Sequence, residues 1–379
     1  MQIYVVKEGD TLARIADIFS VDAEEVAYAN QILFPYRLAV GQALLIPEQN
    51  QAQEKRIAHV NGYAYPYIRN EVLMETLPYL TDISVFSYGF TTSGDLVPPQ
   101  TDDSRMIQEA WNHQVTPFLV LTPFDQTGMF NNYLISAITN DQTAQQNLID
   151  QMFAIMEEKG FAGIDIDFEY ILPQDRVAYA NFVANVRAQA APKGYPVSVA
   201  LAPKTSANQK GVLYEGKDYK LLGAAADSVL LMTYEWGYTY GPPMAVAPIN
   251  KVREVVEYAV TEIPTEKIDL GIPNYGYDWT LPFVQGTSKA RTIGNVEAVE
   301  IAIENNAQIQ FDQTAMSPFF RYEKDGEQHE VWFEDVRSIR EKFHLIEEYG
   351  LRGMGYWQIM KLFRANWLLL ADTFEIVRR

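Results

Sequence analysis

The chain of 379 residues carries 30 Lys and Arg against 49 Asp and Glu, a formal charge of −19, and has no cysteine. Its 48% hydrophobic and 13% aromatic content is that of a globular chain with a large core, and its length suits about two domains. This composition excludes disulfides, thiolate metal sites and cysteine nucleophiles, leaves four His for any metal centre, and argues against a basic face for nucleic acid or anionic lipid.

Met1 to Lys7 has no basic stretch leading into a long apolar run, and nowhere do ~18 apolar residues follow one another. Neither a cleavable signal peptide nor membrane insertion is expected. The reading is a chain made for the cytosol, or released from a cell by a route other than cleavable-signal secretion.

Residues 1–48 read as a unit in the order β-α-α-β. Ile3 to Val6 is a short strand, and Gly9-Asp10-Thr11 turns the chain. Asp10 or Thr11 can cap a helix with apolar Leu12, Ile15, Ala16 and Phe19. Asp22, Glu24 and Glu25 open a second helix that ends at Asn30, and Ala43 to Ile46 returns as a strand before Pro47. The landmarks Tyr4-Val5-Val6-Lys7-x-Gly9-Asp10-Thr11-Leu12, Asn30 and Gly41-Gln42-x-Leu44-x-Ile46-Pro47 resemble a LysM domain. That resemblance implies binding of β-1,4-linked N-acetylglucosamine glycan, as in peptidoglycan or chitin. The groove it implies lies between Gly9, Asp10, Thr11 and Leu12 on one side and Asn30, Ile32 and Phe34 on the other. For these single residues, turn and core building is the alternative role. The segment carries a net charge of −4. Attachment to an anionic wall therefore rests on hydrogen bonds and stacking rather than on charge. Residues 49–56 are polar and aperiodic and read as a linker.

Over residues 57–379, eight apolar runs alternate with amphipathic segments. They lie near 58–64, 82–88, 116–122, 162–168, 196–202, 227–234, 267–272 and 352–357. This pattern predicts an α/β fold, a (β/α)8 TIM barrel. The gap of about 279–332 between the last two runs is too long for one loop and helix. It holds Trp279, Phe283, Phe320 and Trp332, enough for a small α+β insertion.

The segment Gly163-Ile164-Asp165-Ile166-Asp167-Phe168-Glu169 carries the chemistry. Strand side chains alternate faces, so Ile164, Ile166 and Phe168 face the outer helices while Asp165, Asp167 and Glu169 face the barrel interior. Three ionised carboxylates in a poorly solvated interior repel one another, so at least one holds a proton at neutral pH. A purely structural role would need them paired with Lys or Arg, which the branched apolar filling of such barrels disfavours; a divalent metal is the other alternative. The functional reading is acid catalysis, with Glu169 nearest the mouth as general acid and Asp167 keeping it protonated. Two carboxyls on one strand cannot flank a sugar from both sides, as the usual pair ~5–5.5 Å apart does. The attacking group must come from elsewhere, and the substrate's own 2-acetamido oxygen can supply it. Asp167 would orient that acetamido group, and Asp165 would share a proton with Asp167.

These residues resemble the fourth-strand Asp-x-x-Asp-x-Asp-x-Glu of glycoside hydrolase family 18. Ala162 stands at the first acidic position and Phe168 before the Glu. Met232-Thr233-Tyr234-Glu235 is similar to the family's Met-x-Tyr-Asp, with Glu235 replacing Asp. Gly271-Ile272-Pro273-Asn274-Tyr275-Gly276 is similar to its seventh strand, and Gly355-Tyr356-Trp357 to its eighth, while Leu121-Thr122-Pro123-Phe124 departs from its Ser-x-Gly-Gly. The resemblance implies that Tyr234 bonds the acetamido carbonyl and Trp357 floors the sugar site. It makes Tyr275, Met232 and Glu235 further substrate-binding candidates. Trp236, in the loop after the sixth strand, is another candidate for the cleft lining, with packing within the loop as its alternative role. The resemblance calls for no cofactor and no metal.

A LysM segment ahead of this barrel, together with Phe311-Asp312-x-Thr314 and Ser317-Pro318-Phe319-Phe320, resembles the spore-germination glycosidases of endospore-forming bacteria. The implied activity is retaining, substrate-assisted cleavage of N-acetylglucosamine glycan in spore-cortex peptidoglycan, by a monomer. A chitinase, or a non-catalytic lectin-like protein, is the alternative.

Overall fold

The computed structural model describes residues 1–48, 54–124 and 129–378, so most of the expected linker, residues 49–53, lies outside the described part. The first unit comprises β1 (Gln2–Val5), α1 (Leu12–Phe19), α2 (Ala23–Ala29) and β2 (Ala43–Ile46). β1 and β2 pair antiparallel, with Gln2 opposite Ile46. Thr11 and Asp22 cap the two helices through their side chains. Leu12, Ile15, Val26, Leu44 and Ile46 form a small core between helices and sheet.

The next unit alternates strand and helix. It runs through β3 (Arg56–Ala64), α3 (Asn70–Thr76), β4 (Asp82–Phe90), β5 (Leu96–Val97), α4 (Ser104–Asn112) and β6 (Thr116–Leu121). It continues with α5 (Asn132–Asn140), α6 (Gln142–Lys159), β7 (Gly163–Ile166), α7 (Arg176–Ala190), β8 (Val197–Leu201), α8 (Tyr219–Ala225), β9 (Ser228–Leu231), α9 (Ile249–Glu262) and β10 (Ile268–Pro273). After the insertion come α11 (Val336–Glu348), β16 (Gly353–Trp357), α12 (Arg364–Thr373) and β17 (Phe374–Ile376). Strands β3, β4, β6, β7, β8, β9, β10 and β16 pair in parallel in that order, and β16 closes on β3. The sheet has therefore rolled into a barrel of eight parallel strands with helices outside. Each strand is buried on both faces, which is why each reads as a continuous apolar run. β5 and β17 extend the ladder outside the barrel and were not expected.

The insertion is a five-stranded antiparallel sheet in the order β12-β11-β15-β14-β13. Its members are β11 (Gly276–Leu281), β12 (Arg291–Ile293), β13 (Gln310–Asp312), β14 (Ser317–Lys324) and β15 (Glu327–Trp332), with α10 (Asn295–Glu304) packed on it. Trp279 and Phe320 are buried. β11 follows β10 directly, so this sheet stands at the C-terminal mouth of the barrel.

The N-terminal unit docks on both other parts. Ile309 N–H donates to the Val40 carbonyl at 2.9 Å. Arg364 donates to the Tyr28 carbonyl at 2.9 Å and lies 4.0 Å from the centre of the Tyr28 ring. The terminal ammonium of Met1 reaches Asp372 at 2.5 Å. Gly41 permits the close approach, since its φ is +86° and an added Cβ would stand 1.8 Å from the Ile309 carbonyl oxygen.

Candidate active site

β7 is short, but the alternation it begins continues beyond its last residue. Ile164, Ile166 and Phe168 are fully buried, and the Phe168 ring stacks on Tyr179 and Phe182 at centroid separations of 5.4 and 5.6 Å. Asp165, Asp167 and Glu169 project the other way. Asp167 N–H donates to the Leu121 carbonyl at 2.9 Å, which keeps the chain extended past Ile166. Tyr170 then takes a φ of 23° and turns the chain outward.

Asp165 lies deepest. Its two oxygens accept from the Tyr63 hydroxyl at 2.5 Å and from Ser198 Oγ at 2.7 Å. The sequence suggested a proton shared between Asp165 and Asp167; no hydrogen bond joins them among the described residues, because Tyr63 and Ser198 take that role. Asp167 is buried, and its Oδ1 has no hydrogen-bond partner. Glu169 lines a cleft of about 640 Å³ together with Asp167, Met232, Tyr234, Glu235 and Trp357. It also borders an adjoining hollow of about 430 Å³ walled by Ile135, Leu172 and Val212. The carboxyl at the strand end thus sits where two cavities meet. The Trp357 ring packs edge-on against Phe86 and Tyr63, with centroids 4.9 and 5.7 Å away, and Met232 and Leu230 fill in around them.

Burial pushes all three carboxyls above the ordinary carboxylate range. For Asp165 the bonds from Tyr63 and Ser198 oppose the shift. Asp167 is raised well above its usual value, by burial first and by the charge of Glu169 second. Two anions in one low-dielectric site repel, so Asp167 and Glu169 titrate together, both raised above the ordinary carboxylate range. Burial and the nearby carboxyls also hold the Tyr234 hydroxyl neutral, which leaves it a hydrogen-bond donor. Among the described residues, no three Asp, Glu or His side chains are arranged to hold a metal ion.

The remaining expected residues separate into those that reach the cleft and those behind it. Glu235 reaches it from a left-handed backbone position, φ 67°, and its Oε1 accepts from the Tyr275 and Tyr277 hydroxyls, the latter at 2.9 Å. Tyr275 is a correction to the substrate-binding set. It is buried behind the cleft wall, with its hydroxyl committed to Glu235. Trp236 is a second correction, because the turn at Glu235 sends it back against the barrel core. Tyr277 was missed, and so was Lys217, a fully buried lysine whose Nζ donates to the Ala200 carbonyl at 3.1 Å. Phe124, the last residue of the unmatched third-strand segment, lines the cleft.

In the N-terminal unit, Asp10 accepts from the Tyr4 hydroxyl at 2.7 Å and from Lys7 N–H at 2.8 Å. Gly9 holds a φ of +80° in the same turn, Thr11 caps α1, and Leu12 is buried in the core. Asn30 Nδ2 donates to the Val26 and Leu45 carbonyls, and its Oδ1 accepts from Leu45 N–H, all at 2.8 Å. Asp10, Leu12 and Asn30 thus build the turn, the core and the strand contact of the unit, the alternative role read for them from the sequence. Ile32 borders a groove of about 290 Å³ with Leu33, Phe34 and Val299 of α10, and Phe34 is largely exposed.

The profile of the LysM domain matches residues 4–47, and that of the glycosyl hydrolases family 18 matches residues 128–361. The chain is 44% identical to the cortical fragment-lytic enzyme of Bacillus subtilis (strain 168), over 100% of this chain and 99% of that protein. The crystal structure of the Bacillus cereus spore cortex-lytic enzyme SleL superposes with a TM-score of 0.83 at 39% identity, covering 99% of this chain and 87% of that one. That of the Bacillus megaterium QM B1551 SleL gives 0.82 at 38%, covering 100% and 87%. The chain is a glycoside hydrolase, and it belongs to the glycosyl hydrolases family 18, with a LysM domain ahead of the catalytic barrel.

Proposed function

We propose that this enzyme cuts β-1,4 bonds on the reducing side of N-acetylglucosamine in spore-cortex peptidoglycan, with retention of configuration and with the substrate's acetamido group as nucleophile. The LysM unit, residues 1–48, holds the glycan while the barrel, residues 57–379, cuts it, and the protein acts as a monomer at the cortex. The whole-length likeness to cortex-lytic enzymes supports the choice of substrate.

The observation that carries the mechanism is the placement of Asp167 and Glu169 just past the end of one strand, facing the same cleft, with burial raising both carboxyls. Glu169 gives its proton to the glycosidic oxygen as the bond from C1 breaks. The acetamido carbonyl oxygen closes on C1 to form an oxazolinium ion, with its N–H facing the Asp167 carboxylate and its oxygen aligned by the Tyr234 hydroxyl. The Glu169 carboxylate then takes a proton from water as that water opens the ring. Trp357 offers the flat apolar floor for the sugar.

Mass spectrometry after incubation with cortex fragments, vegetative wall and chitin oligomers tests the substrate. Cortex fragments are expected to yield products ending in reducing N-acetylglucosamine. Cleavage of chitin oligomers alone would overturn the cortex assignment.

A further inference from the structure

Lys217 is a buried charge that the mechanism above does not use. Lys217 lies between the turn at Gly211–Tyr214 and α8, in a stretch, Glu215-Gly216-Lys217-Asp218, that reads as a solvated loop. Instead its side chain is fully buried, which for a lysine is unusual unless an opposite charge accompanies it. The main chain enforces this course. Lys217 N–H donates to the Tyr214 carbonyl at 3.1 Å, and an added Cβ on Gly216 would stand 2.0 Å from the Ile171 carbonyl oxygen. Lys204 Nζ holds the Lys217 carbonyl at 2.7 Å.

The ammonium donates to the Ala200 carbonyl at 3.1 Å, and Ala200 lines the same cleft as Asp167 and Glu169. β7 and β8 pair with Ile164 opposite Val197, Asp165 opposite Ser198 and Ile166 opposite Val199. Continued by one residue, that register sets Asp167 beside Ala200, the residue Lys217 caps. Asp167 Oδ1 is buried without a hydrogen-bond partner.

We propose that Lys217 is the counter-charge of the Asp167–Glu169 pair, a positioning residue that lets the buried pair keep one negative charge while Glu169 carries the proton it donates. The inference rests on the acid role of Glu169 proposed above. The charges of both carboxyls oppose the lowering that burial imposes on its ammonium. In return its charge opposes the raising of both. The other titratable neighbours do not supply a positive charge. Asp165 is acidic, and Tyr63, Tyr65, Tyr179 and Tyr234, beside Asp167, are held neutral. Tyr170, beside Glu169, is held neutral too, and Glu235 is acidic. Lys204 turns its Nζ to the carbonyls of Ala207 and Lys217.

The test is the pH profile of kcat/KM for Lys217→Met, with Lys217→Arg and Glu169→Gln beside it. Without the charge, both ionisations of the pair become harder, so both limbs of the bell should move to higher pH by about one unit. On the acid side this reads as a roughly tenfold loss at fixed pH. KM should change less than twofold, and Lys217→Arg should return both limbs to their original places. Limbs that stay in place in Lys217→Met overturn the proposal, whatever happens to kcat. Should Lys217→Met not fold, the same profile is read on Lys217→Gln, whose amide can keep the bond to Ala200, with the same two outcomes. Glu169→Gln separates the two claims: if it is inactive while the Lys217→Met limbs are unmoved, only the counter-charge fails, and if it is active, the acid assignment itself fails.

Discussion

Glu169→Gln is expected to lower kcat by about 10³-fold or more on N-acetylglucosaminides, because loss of a positioned general acid typically costs 10²–10⁴-fold. The amide keeps the size and shape of the side chain at the meeting of the two cavities, so KM and fold should be nearly unchanged. Binding to insoluble cell wall should also be unchanged, since Glu169 lines the barrel cleft and the LysM unit is separate from it. Steady-state kinetics on a chromogenic N-acetylglucosaminide, with a pull-down on wall material, reads both. Undiminished turnover would move the acid role elsewhere, and Glu235, which also lines the cleft, is raised by desolvation and by the charge of Glu169 against the lowering bonds of Tyr275 and Tyr277.

The second large effect concerns the substrate. Asp167 and Glu169 project from the end of one strand, and the remaining carboxyl lining the cleft among the described residues is Glu235, whose Oε1 is already engaged by Tyr275 and Tyr277. A glucoside or a de-N-acetylated glucosaminide lacks the internal nucleophile and should be inert. Expressed as kcat/KM, the loss should be about 10³-fold or more, since an oriented intramolecular group carries an effective molarity that free water does not match. A thiazoline analogue of N-acetylglucosamine, which resembles the oxazolinium ion, should inhibit competitively and far more tightly than the sugar itself. Comparable turnover of the substrate without the acetamido group would instead point to an enzyme nucleophile, with Glu235 as the first residue to replace.

The parts that could be read from sequence obey short-range rules. All eight barrel strands are legible because parallel strands buried on both faces are near-continuous apolar runs. The carboxyl trio is legible because a period of two puts Asp165, Asp167 and Glu169 opposite Ile166 and Phe168. What escaped depends on long-range placement. Trp236 reads as a loop residue that either lines the cleft or packs, and the sequence does not choose. The strand ends at Leu231, and after the left-handed turn at Glu235 the ring packs against the core. Tyr275 was assigned to the sugar, but it and the overlooked Tyr277 hold Glu235 from behind, a relation that only the junction of barrel and insertion creates. Lys217 sits in a polar sequence with no periodicity, and only the contact of Gly216 with Ile171 shows that the loop folds inward. The docking of the LysM unit likewise depends on pairs such as Val40 with Ile309, and Tyr28 with Arg364, that no local pattern links.

The most direct test of the one-sided acid mechanism is the anomeric configuration of the first product, followed by proton NMR during cleavage of an N-acetylglucosamine oligomer before mutarotation equalises the anomers. Attack by the acetamido group, followed by water from the opposite face, inverts C1 twice, so the β-anomer of the new reducing end should appear first. Initial release of the α-anomer would require a single displacement by water, with a base on the far side of the sugar, and would contradict the account.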